Sequence, residues 1–508
     1  MTGRPFYFLV AALWLGNLIP ALDATLVGTA LPTVIGALDG LSLYSWVFAS
    51  YLLTLTIAIP IFGKLADLFG RKPVYFFGMG LFTVAAVLSA LVQNVEQLIV
   101  CRILIGLATA CVQPVAQTIM GDAFPMAQRA KLQWMFASAW FVASAIGPII
   151  ATAITFYLSW RLVFLVTVPL GLCASFLMAT KYHESVERKS HRIDFAGVFL
   201  LGAGVLALLF ALSPTNRTAG VSTQSLGLIA IAGVLLVLFV WNETRAAEPV
   251  LPPRLFLIPV LGIAALGSVA SGIVQSGATS FIPIFVQGAQ GGTAADVAMV
   301  LPLMTIGWPI GAGIGGRFLL RVGFRRSAIA GMALTAVAQA GFLLLGRDSS
   351  TFFAAACMTL MGLGFGFSSV GFMISVQNSV GWRDRGVATA SLQFFRSIGG
   401  SVGVAIMGTI MGLRMQPLIE RYQVTGTTGA ASALLDPSAR GALAPDVLAA
   451  LQLGMTEAVH STFWVMAIAS VAGLVAVLWF PRTLREVPDA TSPAPSSAPA
   501  RDEVAARE

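Results

Sequence analysis

Runs of about eighteen or more mostly apolar residues recur along the whole chain, separated by short segments rich in Gly, Pro, Lys and Arg. Each run is long enough to cross the hydrocarbon of a bilayer as a helix. The alternating ten-residue segments of a membrane β-barrel do not occur. Fourteen runs fit, at about 9–33, 46–62, 74–92, 97–120, 134–154, 162–180, 195–212, 225–241, 258–285, 297–316, 327–346, 351–376, 388–412 and 458–480. The pattern therefore predicts an all-α polytopic membrane protein, and the even count puts both termini on one side.

Composition agrees with this pattern. The chain of 508 residues is 57% hydrophobic and only 10% charged, whereas soluble domains carry about a quarter charged residues. A net charge of +8 raises the question of nucleic acid, and its distribution answers it. With a cytoplasmic N-terminus, the inside segments hold 22 of the 30 cations, the outside segments six, and Arg102 and Arg396 lie within spans. That split follows the positive-inside rule, fixes both termini in the cytoplasm and points to a lipid bilayer, with no nucleic-acid partner. Cys101, Cys111, Cys173 and Cys357 all fall in spans without metal or redox spacing, so they read as small apolar residues. Arg4 precedes a long apolar run with no small-residue cleavage site, which predicts a first span and not a removed signal.

The chain repeats itself. Gly63-Lys64-Leu65-Ala66-Asp67-Leu68-Phe69-Gly70-Arg71-Lys72-Pro73 follows span two, and Gly316 to Arg326 follows span ten with the same glycine spacing and basic charge. Leu320 stands where the first copy has Asp67. Spans 1–6 thus pair with spans 9–14, and spans 7 and 8 are an insertion. The expected organisation is a six-helix bundle over 1–192, two inserted helices over 193–257, a second six-helix bundle over 258–486 with a long outer loop at 414–455, and a disordered tail over 487–508.

Several polar residues stand out against this apolar background. Asp67 is a lone carboxylate among cations beside a membrane and calls for a partner. Lys64, Arg71 or the positive end of a nearby helix each qualify, and Gly63 and Gly70 allow a tight turn and close helix approach. Asp23 sits in mid-span, where a charge costs about 2.5–3.5 kcal/mol on insertion scales. Burial favours the neutral form of a carboxyl group, which suits a proton carrier; a structural acid held by neighbouring hydroxyls is the alternative. Arg102, in span four, keeps its proton and so cannot carry one. It either partners a buried acid or snorkels to the headgroups. Gly147 and Pro148 bend and thin span five. Arg396 lies about two turns into span thirteen.

The stretch from Gly63 to Lys72 resembles the G-x-L-A-D-x-x-G-R-K signature of the major facilitator superfamily. Leu22-Asp23-Ala24-Thr25-Leu26-Val27-Gly28-Thr29-Ala30-Leu31-Pro32 resembles the first-helix signature of its fourteen-helix drug/proton antiporters. Arg102-Ile103-Leu104-Ile105-Gly106 resembles the R-x-x-x-G motif of helix four, and Phe394 to Gly403 a family stretch in helix thirteen. Gly147-Pro148 resembles the core of the helix-five motif G-P-x-x-G-G, although Ala151 and Thr152 replace its final glycines. The resemblance implies two six-helix bundles plus two inserted helices, rocking by alternating access around a central site. It implies that Asp67, with Gly63, Gly70, Arg71 and Lys72, forms a conformational latch, docking at the start of span thirteen. It implies proton coupling through Asp23 and Arg102, and a gating role for Arg396. Trp14, Asn17, Gln113, Gln117, Gln275 and Phe365 are candidates to line the substrate cavity.

The expected function is export of hydrophobic or cationic compounds across the inner membrane, driven by the proton gradient, with no cofactor or metal and no enzymatic activity. No phosphate-binding loop of the G-x-x-x-x-G-K-S/T type occurs. A monomer is expected, and the sequence names no periplasmic adaptor. The same fold also suits export of one endogenous metabolite or lipid. A non-transporting sensor is a third possibility, though it needs none of Asp23, Arg102 and Asp67.

Overall fold

The computed structural model describes residues 4–38, 43–181, 194–211, 223–246, 248–292, 294–421 and 445–481. The expected tail over 487–508 lies outside them. Fourteen helices form the main body of the described residues, with short helical turns at Pro253–Phe256, Phe285–Ala289, Ala294–Val300 and Trp382–Asp384 between them. The fourteen are α1 (Arg4–Ala37), α2 (Tyr44–Phe69), α3 (Arg71–Leu91), α4 (Val95–Ala123), α5 (Met126–Tyr157), and α6 (Trp160–Leu165, continuing as Thr167–Lys181). Then come α7 (Phe195–Ala211), α8 (Thr223–Glu243), α9 (Pro259–Ile284), α10 (Pro302–Val322), α11 (Phe324–Leu343), α12 (Thr351–Ser379), α13 (Arg385–Arg421) and α14 (Pro445–Leu478). Twelve are long and apolar enough to cross a membrane by themselves. The other two are α7, which is short, and α11, which begins at Phe324-Arg325-Arg326.

Helices form here because the backbone has no other way to satisfy its polar groups in lipid. Their ends are set locally. Asn94 caps α4 by accepting from the Gln97 N–H at 2.9 Å, and Ser350 caps α12 through the Phe352 N–H. Gly70 and Gly323 hold φ at 99° and 86° in the turns after α2 and α10. A left-handed turn of this kind favours glycine, and the two glycines occupy matching places in the repeat.

The first six helices pack on one another, and so do the last six. The two bundles meet along α2–α13 and α5–α10, while α7 and α8 pair with each other and α7 rests against α2. One apolar core surrounds Tyr75, Phe82, Met120 and Phe136. The other surrounds Phe285, Phe342, Met358 and Phe463. Large apolar side chains also cover the outside, among them Phe156, Leu172, Val237, Trp241, Trp464 and Ile468. Such a coat is a liability in water and a requirement in lipid.

The expected long outer loop at 414–455 is helical at its two ends, where α13 runs on to Arg421 and α14 starts at Pro445; 422–444 lie outside the described residues. Leu451, Met455, Ala458 and Val459 are fully buried, which is the i, i+4, i+7 stripe of an amphipathic helix. Polar neighbours such as Asp446 and Gln452 diluted the apolar run and hid it.

Candidate functional site

The first site lies inside the N-terminal bundle. Asp23 on α1 and Arg102 on α4 are 3% and 2% exposed, and Arg102 Nη1 donates to Asp23 Oδ2 at 2.9 Å. This is a single-point pair. Arg102 Nε and Nη2 have no hydrogen-bond partner, and the guanidinium carbon sits 5.4 Å from the Phe164 ring centroid. Tyr51 on α2 lies within electrostatic reach of both charges. Removing one member of such a pair costs about 3–5 kcal/mol, because the other is left buried and charged.

Gly147 sets the spacing beside this pair. A Cβ there would lie 2.1 Å from Thr25 Oγ1, so only glycine lets α5 approach α1 so closely. Thr25 in turn donates to the Ala143 carbonyl at 3.1 Å. Helix α5 runs unbroken through Pro148. Ala151 is buried, so the small-residue contact persists without the second glycine pair of the motif.

The second site joins the bundles at their cation-rich end. Asp67 on α2 reaches across to the first turn of α13. Its Oδ1 accepts the Gly386 N–H at 2.9 Å and its Oδ2 the Val387 N–H at 2.7 Å. It thereby caps a helix N-terminus with a full negative charge, where the dipole favours one. Arg71 Nη2 lies 2.8 Å from Asp67 Oδ1, and Arg71 Nε lies 3.0 Å from Asp122 Oδ2 on α4. Arg385 on α13 closes the set, with Nη1 2.7 Å from Asp122 Oδ1. The network holds two acids and two guanidiniums and is neutral overall. Arg71 is fully buried, and its guanidinium stacks 3.7 Å from the Trp382 ring centroid. Gly63 and Gly386 make the approach possible. A Cβ on Gly63 would lie 2.4 Å from Ala390 Cβ, and one on Gly386 2.6 Å from Asp67 Oδ1. Lys72 points elsewhere: its Nζ donates to the Ala179 carbonyl at 3.2 Å, near the last turn of α6.

The repeat places a second close contact on the opposite seam. A Cβ on Gly316 of α10 would lie 1.9 Å from the Ala130 carbonyl oxygen of α5. Leu320, at the place of the acid, is partly exposed to the surroundings. A groove of about 790 Å³ opens along this seam, between Trp134 and Phe141 on α5 and Ile310 and Ile314 on α10.

The third site is a cavity of about 60 Å³ walled entirely by α9, α10, α12 and α13 of the C-terminal bundle. Arg396, Gln275 and Phe365 line it. The Arg396 guanidinium carbon sits 5.5 Å from the Trp308 ring centroid. The remaining candidates divide. Gln113 on α4 accepts from Gln393 Nε2 at 2.9 Å, bridging the bundles at the rim of this cavity. The Gln117 backbone carbonyl accepts from Gln377 Nε2 at 3.1 Å, another bridge. Trp14 and Asn17 face α5 instead, donating to Ser138 Oγ at 3.2 Å and to the Phe136 carbonyl at 2.7 Å.

Comparison with known proteins identifies the fold's family. The family model described as Major Facilitator Superfamily matches residues 13–404. The chain belongs to the major facilitator superfamily. The chain is 34% identical over 501 residues to the multidrug transporter protein MdtP of Bacillus subtilis, covering 93% of this chain and 92% of that one. It is 27% identical over 514 residues to the tetracenomycin C resistance and export protein of Streptomyces glaucescens, covering 98% and 95%. Among solved structures, the human organic anion transporter MFSD10 has TM-score 0.59 at 14% identity, covering 91% of this chain and 100% of that one. The proton:xylose symporter XylE has TM-score 0.59 at 14% identity, covering 94% and 96%. At that identity these two speak for the fold alone. The chain is thus a multi-pass membrane protein of a superfamily whose members are transporters and not enzymes.

Sequence reasoning missed half of the network that joins the bundles of this facilitator. Asp122 ends span four and Arg385 opens span thirteen, so each passed for a loop charge. The signal was available: Asp122 is a second lone acid at the cation-rich end, next to an apolar run.

Proposed function

We propose that this transporter exports hydrophobic compounds from the cytoplasm in exchange for protons, by alternating access of its two bundles. The observation that carries the reading is the buried, single-point pair of Asp23 and Arg102. A carboxylate held by one contact, beside two unused guanidinium donors, is a pair that protonation can break. A neutral Asp23 no longer holds Arg102 by charge, and the helices carrying them, α1 and α4, are free to shift. The network of Asp67, Arg71, Asp122 and Arg385 then serves as the latch. It assembles only when the cation-rich ends meet, and on the positive-inside rule those ends face the cytoplasm. The latched form described above is therefore the one closed toward the cytoplasm. The relatives named as a multidrug transporter and as an antibiotic export protein support outward transport. Operation as a monomer in the inner membrane, with both termini cytoplasmic and the proton gradient as the only driving force, completes the proposal.

In this arrangement the proton site and the C-terminal cavity belong to different bundles. The carboxylate belongs to α1, whereas the cavity wall contains no residue of the N-terminal bundle. Exchange then runs through the conformational change and not through two ligands competing for one charge. The test uses inside-out vesicles energised to an acidic interior, with a panel of hydrophobic cations, neutral compounds and acids. Wild type releases protons when a substrate is added, and Asp23→Asn does not. Absence of proton movement with every compound on the panel contradicts the proposal.

A further inference from the structure

The cavity in the C-terminal bundle presents a cation and no acid. Arg396 lies eleven residues into α13, at roughly 1.5 Å per residue about 16 Å from its start. Its charge is permanent. Among the described residues no carboxylate pairs with it, and its guanidinium carbon lies 5.5 Å from the Trp308 ring centroid. Three buried acids are paired elsewhere: Asp23 to Arg102, Asp67 to Arg71 and the α13 amides, Asp122 to Arg71 and Arg385. No carboxylate lines the cavity.

The rest of the wall sharpens the picture. Ser268 and Ser271 on α9 donate their hydroxyl protons to carbonyls of their own helix. Their protons are thereby committed, and Arg396 is the strongest donor among the lining side chains. Phe365 sits 6.3 Å from Trp308, ring centroid to ring centroid, and gives an aromatic wall beside the charge. At about 60 Å³ the space admits an acidic group and little more.

We propose that this cavity is an anion subsite, in which Arg396 holds the carboxylate, sulfonate or phenolate end of an aromatic organic acid while the body of the molecule lies between the bundles. The proposal deepens the export reading and rests on it for the direction of movement. It also supplies a route for the cargo to be sensed. Gln393 lines the cavity and donates to Gln113 on α4, the helix that carries Arg102. An anion drawn to Arg396 therefore sits beside the bridge that links both bundles.

The test is fluorescence binding to the purified full-length protein, using 1-pyrenebutyrate and its uncharged amide. A desolvated guanidinium–carboxylate contact is worth about tenfold or more in affinity. Wild type should bind the acid at least tenfold more tightly than the amide. Arg396→Gln should bring that ratio close to one while leaving the amide unchanged, and Arg396→Lys should keep most of the preference. Equal affinities in wild type, an acid preference that survives Arg396→Gln, or tighter binding of tetraphenylphosphonium than of the acid each overturn the subsite. If Arg396→Gln does not fold, the wild-type ratio and the Arg396→Lys ratio still decide. Binding of the acid without proton movement in vesicles keeps the subsite and removes the exchange reading, so the two claims fail separately.

Discussion

Replacing Asp67 by Asn should unlatch the cation-rich end. The carboxylate accepts two backbone N–H groups from α13, at 2.9 and 2.7 Å. Both bonds cross between the bundles, so both are lost when the ends part. An asparagine keeps one acceptor oxygen and turns a donor toward the second N–H. Charge-assisted hydrogen bonds are worth about 1.5–3 kcal/mol each, and the negative charge at a helix N-terminus adds to this. The pairing with Arg71 lies within one bundle and is not counted. Taking the lower bound for two bonds gives about 3 kcal/mol against the closed form alone, or roughly a 150-fold shift in the equilibrium. A population of about 99 to 1 then moves close to parity. Spin labels at Phe69→Cys and Arg383→Cys report it, because both positions are exposed and flank the network. The background replaces Cys101, Cys111, Cys173 and Cys357. Double electron–electron resonance should show one short distance with Asp67 and a second, longer population with Asp67→Asn. Identical distance distributions would refute the reasoning.

Further expectations follow from the same geometry. Gly386→Ala drives a methyl group to 2.6 Å from Asp67 Oδ1 and 2.7 Å from the Gly63 carbonyl, so the same labels should report an open population with Asp67 intact. Arg102→Gln strands a buried carboxylate and should cost about 3–5 kcal/mol of stability; the double variant with Asp23→Asn should recover most of it, read as unfolding temperature in detergent. Gly147→Val pushes α5 off Thr25 and should lower stability by about 1–3 kcal/mol in that same assay, while the label distance across the latch stays short. Asp384→Ala removes an exposed pair with Arg254 and should change stability by less than about 1 kcal/mol.

The architecture was legible because the bilayer imposes it. Each spanning helix must be apolar across the membrane, so hydropathy located α1 to α13, while the polar ends of α2, α5 and α13 run seven to nine residues past the apolar runs. The start of α14 was hidden, since its first three turns carry one apolar stripe and not an apolar cylinder. Asp23 and Arg102 were also visible, because a charge in mid-span stands out in any chain. What the sequence did not disclose were the contacts made between bundles. Asp122 and Arg385 are 263 positions apart, and each looks like an ordinary charge at a helix end. Their pairing exists only after the bundles dock. The character of the C-terminal cavity was hidden for the same reason. Arg396 could be seen, but its lack of an acid partner is a property of the whole packing of α9, α10, α12 and α13. Trp14 and Asn17, candidates on α1 for the cavity wall, each donate a hydrogen bond to α5.

The central claim is that cargo and proton are exchanged through Asp23. Its most direct test is proton release on binding, measured with a pH indicator in weakly buffered detergent solution. The account predicts that adding a transported compound to wild type releases protons and that Asp23→Asn binds the compound without release. Binding without proton release in wild type, or an undiminished release from Asp23→Asn, would contradict it.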